Sequence, residues 1–229
     1  ITPAVIGVAA GFGATTLAVT RKVRVGLLIT GDELLPPEAT PKPWQIRDSN
    51  GPTIRAMLDG VPWIDLVASE HGGDDPESLT QQMASLLECC DALITTGGVS
   101  MGDHDYIPAV IKRAGGTIAF HKLPVRPGKP MLAGVGPQGQ AIIALPGNPV
   151  SAMVTLRRFG LAALRQRAGF ATPLPAPASV KLATPDDKSL GLWWYRLVRL
   201  TGSGKALCHQ IQCRVPADPL ELVRSARAN

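Results

Sequence analysis

The chain has 229 residues, 45% of them apolar and 18% charged, with 24 Gly and 21 Pro; this is a globular composition with many turns, and disorder is not expected. Its net charge of +5 is unevenly placed: residues 1–156 hold 11 Lys/Arg against 14 Asp/Glu, and residues 157–229 hold 12 against 4. With only four Phe and two Tyr and no basic run between aromatics, a nucleic-acid surface is excluded, and four cysteines in a chain this long make no disulfide scaffold.

Residues 1–19 are apolar but broken by Pro3, Gly7, Gly11, Gly13 and a Thr pair. A packed segment is expected there rather than a membrane span, which needs about 20 continuous apolar residues. No basic start or small-residue cleavage site marks a signal peptide, so the cytoplasm is the expected compartment. With no initiating Met, the chain is expected to be a piece of a longer protein or a shortened paralogue.

From Lys22 onward, strand and helix signals alternate. "VRVGLLI" (23–29) predicts a strand, residues 51–58 a helix, and "WIDLVAS" (63–69) a second strand. Asp74 and Asp75 before Pro76 predict the capped start of a helix, "PESLTQQMASLLEC". "DALIT" (91–95) reads as a short buried strand and "YIPAVIKRA" as a helix stopped by Gly115-Gly116. "TIAFHKL" and "QAIIALP" follow as strands, and residues 148–167 as a final helix.

Strands separated by helices predict an α/β domain over residues 22–170, a parallel sheet flanked by helices. Pro173, Pro175 and Pro177 mark a linker. Beyond it, "SVKLAT", "LWWYRLVRL" and "KALCHQIQC" predict a small C-terminal β domain over 171–229. There Cys208, His209 and Cys213 lack the second ligand pair of a zinc site, and the cysteines are read as strand-borne core residues. Residues 1–21 form a lead-in segment.

In a parallel sheet, ligands bind beyond the carboxyl ends of the strands, and the polar, glycine-rich stretches all fall there. They are "TGDELLP" (30–36), "GGDDP" (72–76), "TTGGVSMGDHD" (95–105), "HKLPVRPGKP" (121–130) and "LPGNPVSA" (145–152). Gly97 and Gly98 can turn successive N–H groups toward one anion, with Ser100 adding a hydroxyl. "PGNPVS" places the start of a helix at the same edge, with the dipole favouring an anion.

Asp32, Glu33, Asp74, Asp75, Asp103 and Asp105 would repel that anion unless a cation intervened, and carboxylates with phosphate oxygens make a Mg²⁺ site. Each loop alone has a plainer reading: helix cap, tight turn or solvated charge. His71, His104 and His121 share no ligand spacing and read as surface or supporting groups.

The ordered motifs "VRVGLLITGDEL", "IRDSN", "GGDDP", "TTGGVSMGDHDY", "KLPVRPGKP" and "LPGNPVSA" closely resemble the MoeA and gephyrin E-domain family, the molybdenum insertases. This resemblance covers residues 1–167. It implies that molybdate and adenylylated molybdopterin yield molybdenum cofactor and AMP with a divalent cation assisting. It also implies a homodimer in the full-length form and contact with molybdopterin adenylyltransferase.

By resemblance, Asp74 and Asp105 hold the metal, and Lys122 and Lys129 serve catalysis. Gly31, Asp32, Glu33, Asn50, Gly97, Gly98, Ser100, Arg126, Pro130, Gly147, Asn148 and Ser151 line the substrate site. Arg126 stands where relatives commonly carry Lys. The stretch "ADPLELVRSARAN" has no clear counterpart of a family serine, and the family's last-domain arginine falls on Arg196 or Arg199. Two domains that precede this segment in full-length relatives are expected to be missing. The competing readings are a CinA-like nucleotide pyrophosphatase, molybdopterin adenylyltransferase, and a non-catalytic scaffold.

Overall fold

A computed structural model describes residues 1–99, 105–172, 181–182, 191–195, 199–200 and 205–207. Ser100, Asp103, Arg196, the linker prolines, Cys208, His209, Cys213 and the C-terminal stretch lie outside the described residues.

The chain opens with α1 (Pro3–Gly11), capped by the Thr2 hydroxyl, and then β1 (Val23–Thr30) starts the main sheet. The short strands β2 (Leu34–Leu35) and β3 (Ile46–Arg47) pair with each other before α2 (Asn50–Asp59). Then come β4 (Ile64–Gly72), α3 (Pro76–Cys89), β5 (Ala92–Thr96), α4 (Ile107–Arg113) and β6 (Thr117–His121). The strands β7 (Val125–Arg126), β8 (Leu132–Val135) and β9 (Ala141–Leu145) follow.

A continuous helical segment closes the domain: α5 (Pro149–Thr155), a π turn (Leu156–Gly160) and α6 (Leu161–Arg167). Past the linker, β10 (Lys181–Leu182), β12 (Arg199–Leu200) and β13 (Lys205–Leu207) form a separate three-stranded sheet. β11 (Trp193–Trp194) pairs instead with β7.

The main sheet has the order β4-β1-β5-β9-β8-β6. Its first four strands run parallel, and β8 is antiparallel to both β9 and β6. The expected parallel, helix-flanked sheet forms, with β8 as an antiparallel insertion that makes it mixed. β8 escapes a sequence reading because "LAGV" is only four residues long with two small side chains. Since β6 runs the same way as β9, the turn from His121 to Leu132 emerges at the same edge as the ends of β1, β4, β5 and β9.

Alternation along the strands builds two cores, since successive side chains point to opposite faces. Val25, Leu27 and Ile29 of β1, with Ile94, Ile143 and Leu145, pack against Ile54 and Leu58 of α2 and Ala152, Leu156 and Leu164 of the last helical segment. On the other face Leu28, Leu93 and Ile142 meet Leu79, Met83 and Leu86 of α3 and Ile107, Val110 and Ile111 of α4. The Asp75 carboxylate accepts from the Ser78 N–H at 2.7 Å, so of the two aspartates expected as caps, Asp75 starts α3.

The lead-in segment departs from the expectation of packing. No residue of α1 is buried, and Ile6, Val8 and Phe12 are 58%, 62% and 89% exposed. No helix among the described residues is long and apolar enough to cross a membrane.

Arg21 ties that segment to the foot of the sheet. Its guanidinium forms a two-pronged ion pair with Asp91, one prong being Nη2 to Oδ1 at 2.7 Å, and Arg24 adds a backbone bond at 2.9 Å and a side-chain contact at 3.4 Å. These partners hold the Asp91 carboxyl well below the usual carboxylate range. Because that pKa is depressed on folding, its stabilising effect is full above the unfolded value near 4 and is lost as pH falls below it. Asp91→Asn is therefore expected to lower Tm by roughly 2–6 °C at pH 7. That difference should close as both proteins are acidified below pH ~4 in a thermal-melt series.

Candidate anion-binding site at the strand ends

Five loops meet at the carboxyl edge of the sheet. The "TGDEL" and "GGDDP" loops hold each other: the Asp32 carboxylate accepts from the Asp74 N–H at 3.1 Å, and the Asp74 carboxylate faces the Asp32 N–H at 3.4 Å. Reciprocal bonding brings two carboxylates, one half-buried and one exposed, onto neighbouring strand ends. Gly31 is buried, and the Glu33 carboxylate folds back to where its Cβ would stand.

At the end of β5, Gly97 and Gly98 take φ values of 97° and 60°. Only glycine fits the first of these positions, since a Cβ there would lie 2.6 Å from the Thr30 carbonyl oxygen as well as requiring left-handed backbone. The Gly97 N–H donates to the Leu145 carbonyl at 3.3 Å, joining this turn to the end of β9. Asn50, at the start of α2, reaches both loops: its Nδ2 donates to Thr96 Oγ1 at 3.0 Å and to the Gly147 carbonyl at 2.7 Å.

The "PGNPVS" turn leads into α5. Asn148 caps that helix by accepting from the Ser151 N–H at 3.1 Å, and the Ser151 hydroxyl donates to the same oxygen at 3.3 Å. Gly147 and Asn148 are exposed at the edge and Ser151 is half-buried.

The basic loop is shaped from within. Leu123 N–H donates to the Lys129 carbonyl at 2.8 Å, Met131 N–H to Gly128 at 3.1 Å, and Lys122 N–H to Met131 at 2.9 Å. Lys122 is held at φ 73°, the one non-glycine residue with positive φ among those described, a conformation that costs about 1–2 kcal/mol unless its surroundings impose it. The Arg126–Pro127 peptide bond is cis.

β11 pairs alongside this loop, with Trp193 N–H donating to Pro124 and Tyr195 N–H to Arg126, both at 2.7 Å. The Arg126 guanidinium lies 5.3 Å from the centre of the Trp194 ring, within cation–π range. Residues 125–130 with Gly191 and Leu192 enclose an open cavity of about 370 Å³. Lys129 and Arg126 are exposed, while Pro130 is half-buried.

Asp105 re-enters the described chain just before α4. Burial raises its carboxyl pKa, opposed by the charges of His121 and Lys122. Thus Asp105, His121 and Lys122 are electrostatic neighbours, and the His121 Nε2 also lies 3.5 Å from the Val99 carbonyl. Sequence reasoning treated His121 as peripheral; its position at the end of a strand that points into the same edge was the available signal. Thr30 and Thr96 fall inside the motifs that the sequence singles out, but their hydrogen bonds, like the contact of Trp194 with Arg126, come from tertiary structure and were not foreseen. Of the residues named as candidates for the site, Ser100, Asp103 and Arg196 lie outside the described residues.

Cys89 is exposed and Cys90 buried, both as free thiols; burial pushes the Cys90 thiol up to about 11, which leaves it unreactive.

Paired glycines, carboxylates on adjacent strand ends and a basic turn at one sheet edge describe an α/β domain shaped for a phosphate-bearing ligand. The chain belongs to the family described as the probable molybdopterin binding domain, whose sequence profile matches residues 26–166. It is 37% identical to the molybdopterin molybdenumtransferase of Synechococcus elongatus over 211 residues, which is 90% of this chain and 51% of that protein. The chain spans about half the length of such curated relatives.

Among solved structures, a molybdopterin biosynthesis MoeA protein from Pyrococcus horikoshii is 28% identical, with a TM-score of 0.59 over 71% of this chain and 40% of that one. A second MoeA structure from Pyrococcus horikoshii superimposes over 97% of this chain and 53% of its own, with a TM-score of 0.69 at 18% identity, a likeness of fold.

Gly128 tests how tightly the basic loop is built. It has φ 104°, and a Cβ would lie 2.2 Å from Thr155 Cγ2 of α5. Gly128→Ala is expected to lose roughly 1–3 kcal/mol in urea unfolding. An unchanged midpoint would mean that the loop is not seated on α5.

Proposed function

We propose that this chain carries the catalytic part of a molybdenum insertase, which transfers molybdenum from molybdate to adenylylated molybdopterin and releases AMP in molybdenum cofactor biosynthesis. The observation that carries this reading is the convergence of the Asp32–Asp74 pair, the Gly97-Gly98 turn, the "RPGKP" loop and the "PGN" turn at one edge. The transferases to which the chain is similar support it.

In this reading residues 22–170 form the catalytic domain, 1–21 the lead-in segment, and 171–229 the small β domain that contributes Gly191 and Leu192 to the cavity wall. Asp74 and Asp105 are the residues that would hold a divalent cation, Mg²⁺, in this reading. Among the described residues no three His, Cys, Asp or Glu side chains converge on a metal position; Mg²⁺ takes one or two carboxylates and completes its shell with phosphate oxygens and water. When bound, the cation neutralises the phosphoanhydride and polarises it toward cleavage.

Lys129, Arg126, Pro130 and Ser151 receive the oxyanion, and Lys122 offsets charge during transfer. Asn148 presents the helix start, Gly31, Asp32 and Glu33 border the pyrophosphate, and Gly97, Gly98 and Ser100 seat a substrate phosphate. In this reading the protein works in the cytoplasm as a homodimer in its full-length form and contacts molybdopterin adenylyltransferase.

The test is incubation with adenylylated molybdopterin, molybdate and Mg²⁺, following AMP release and reconstitution of a molybdenum enzyme. AMP release that ignores molybdate and yields no cofactor would instead favour a nucleotide pyrophosphatase. Lys129→Ala is expected to lower the rate on the order of 100-fold.

A second expectation concerns pH. Burial raises the Asp105 pKa above the ordinary 3.8, so the carboxylate is lost by protonation sooner on acidification than an exposed one. The rate should fall on the acid side through that raised pKa, and Asp105→Asn should be slow at every pH and lack this limb. A variant with the wild-type profile would remove Asp105 from the chemistry.

A further inference from the structure

We propose that Asn50 is a positioning residue of the site, a tether that fixes the distance between the Gly97 turn and the Gly147 turn; this rests on the binding edge assigned above. Asn50 is 8% exposed, and both hydrogens of its amide are engaged, one by Thr96 Oγ1 at 3.0 Å and one by the Gly147 carbonyl at 2.7 Å. A carbonyl only accepts, so the amide nitrogen faces Gly147. With both donors spent, the amide nitrogen is committed to the loops.

The tether sits in a chain of buried contacts. Thr96 is 1% exposed and its carbonyl accepts from the Thr30 hydroxyl at 3.1 Å, with Thr30 4% exposed. The ends of β1 and β5, the start of α2 and the β9–α5 turn are thereby linked through Asn50. Gly147 lies beside Gly97: a Cβ on it would be in ordinary van der Waals contact with Gly97 Cα, at 3.7 Å. On its other side the turn is open, since residues 147–150 are exposed. If the Asn50 bond is lost, the Gly147 turn and the helix start that follows it can move away from the glycine pair.

Asn50→Asp isolates the tether, because it keeps the shape and removes the donors. The Thr96 hydroxyl can rotate to donate to a carboxylate, whereas the Gly147 carbonyl is left facing a negative oxygen. Asp48 is the charged neighbour on the same turn, with its Oδ1 bonded to the Gly51 N–H at 2.9 Å; Thr96 and Gly147 present no titratable group. Burial and Asp48 both raise the carboxyl pKa of the new residue. Protonation at lower pH restores a donor for Gly147.

The readouts are the Kd for AMP with Mg²⁺ by calorimetry and amide exchange of residues 147–151 (excluding Pro149), each as a ratio of variant to wild type at pH 8 and 5.5. The expected result is a Kd raised on the order of 10- to 100-fold at pH 8 with faster exchange in that turn, both ratios returning toward one at pH 5.5. Thr96→Val, which removes one acceptor and leaves the Gly147 bond, should move Kd in the same direction by less. It serves if Asn50→Asp does not fold.

Faster exchange with unchanged Kd would overturn the positioning role, and unchanged exchange would overturn the tether itself. Wild type that binds AMP but does not insert molybdenum would refute the insertase reading while the ratios still decide the tether. Wild type that fails to bind AMP would overturn both.

Discussion

Everything at the binding edge depends on the parallel pairing of β4, β1, β5 and β9. Parallel strands need a crossover between them, so each strand must end in a loop before its helix, and all such loops leave from the same edge. Hydrogen bonding in the ladder thus places carboxylates from two loops, a glycine pair from a third and a helix start from a fourth at one edge of the sheet. The antiparallel insertion of β8 between β9 and β6 adds the basic turn to that edge, because a strand entering from the edge must be preceded by a turn there.

A ladder alone would leave those loops free to drift. Cross-loop bonds hold them: Asp32 with Asp74, Gly97 with Leu145, Asn50 with Thr96 and Gly147, and β11 with β7. Most involve a backbone group that would otherwise be unsatisfied or exposed, and they act together with buried anchors of the same loops, Val99, Leu123, Val125, Met131 and Leu145, which belong to the two cores. The Trp194 ring over Arg126 applies the same logic to charge, restricting a guanidinium that would otherwise sample solvent.

Much of this was readable in the linear chain. The alternation of "VRVGLLI" and the Asp75-Pro76 cap specify β1 and the start of α3 through local rules, and both elements form where those rules put them. The loops were legible because "TGDEL", "TTGG", "RPGKP" and "PGNP" each break a strand or open a helix with residues of unusual backbone freedom. β8 was not, since four residues with small side chains carry no period. Nor was the tether: the resemblance puts Asn50 among the substrate-site residues, but its bond to the Gly147 carbonyl exists only once folding brings the two together. The exposure of α1 contradicted its apolar sequence, because apolarity states what a segment favours and not which described element is there to meet it.

The central claim is that this edge, and the basic turn in particular, receives an oxyanion beside a phosphate. Anomalous scattering from molybdenum in crystals soaked with molybdate and AMP tests it most directly. The account predicts a molybdenum peak in the cavity bordered by Arg126, Lys129 and Leu192, with the AMP phosphate at the Gly97 and Gly147 turns. Molybdenum bound reproducibly at the opposite edge, near Arg21 and Arg24, with this cavity empty, would contradict it.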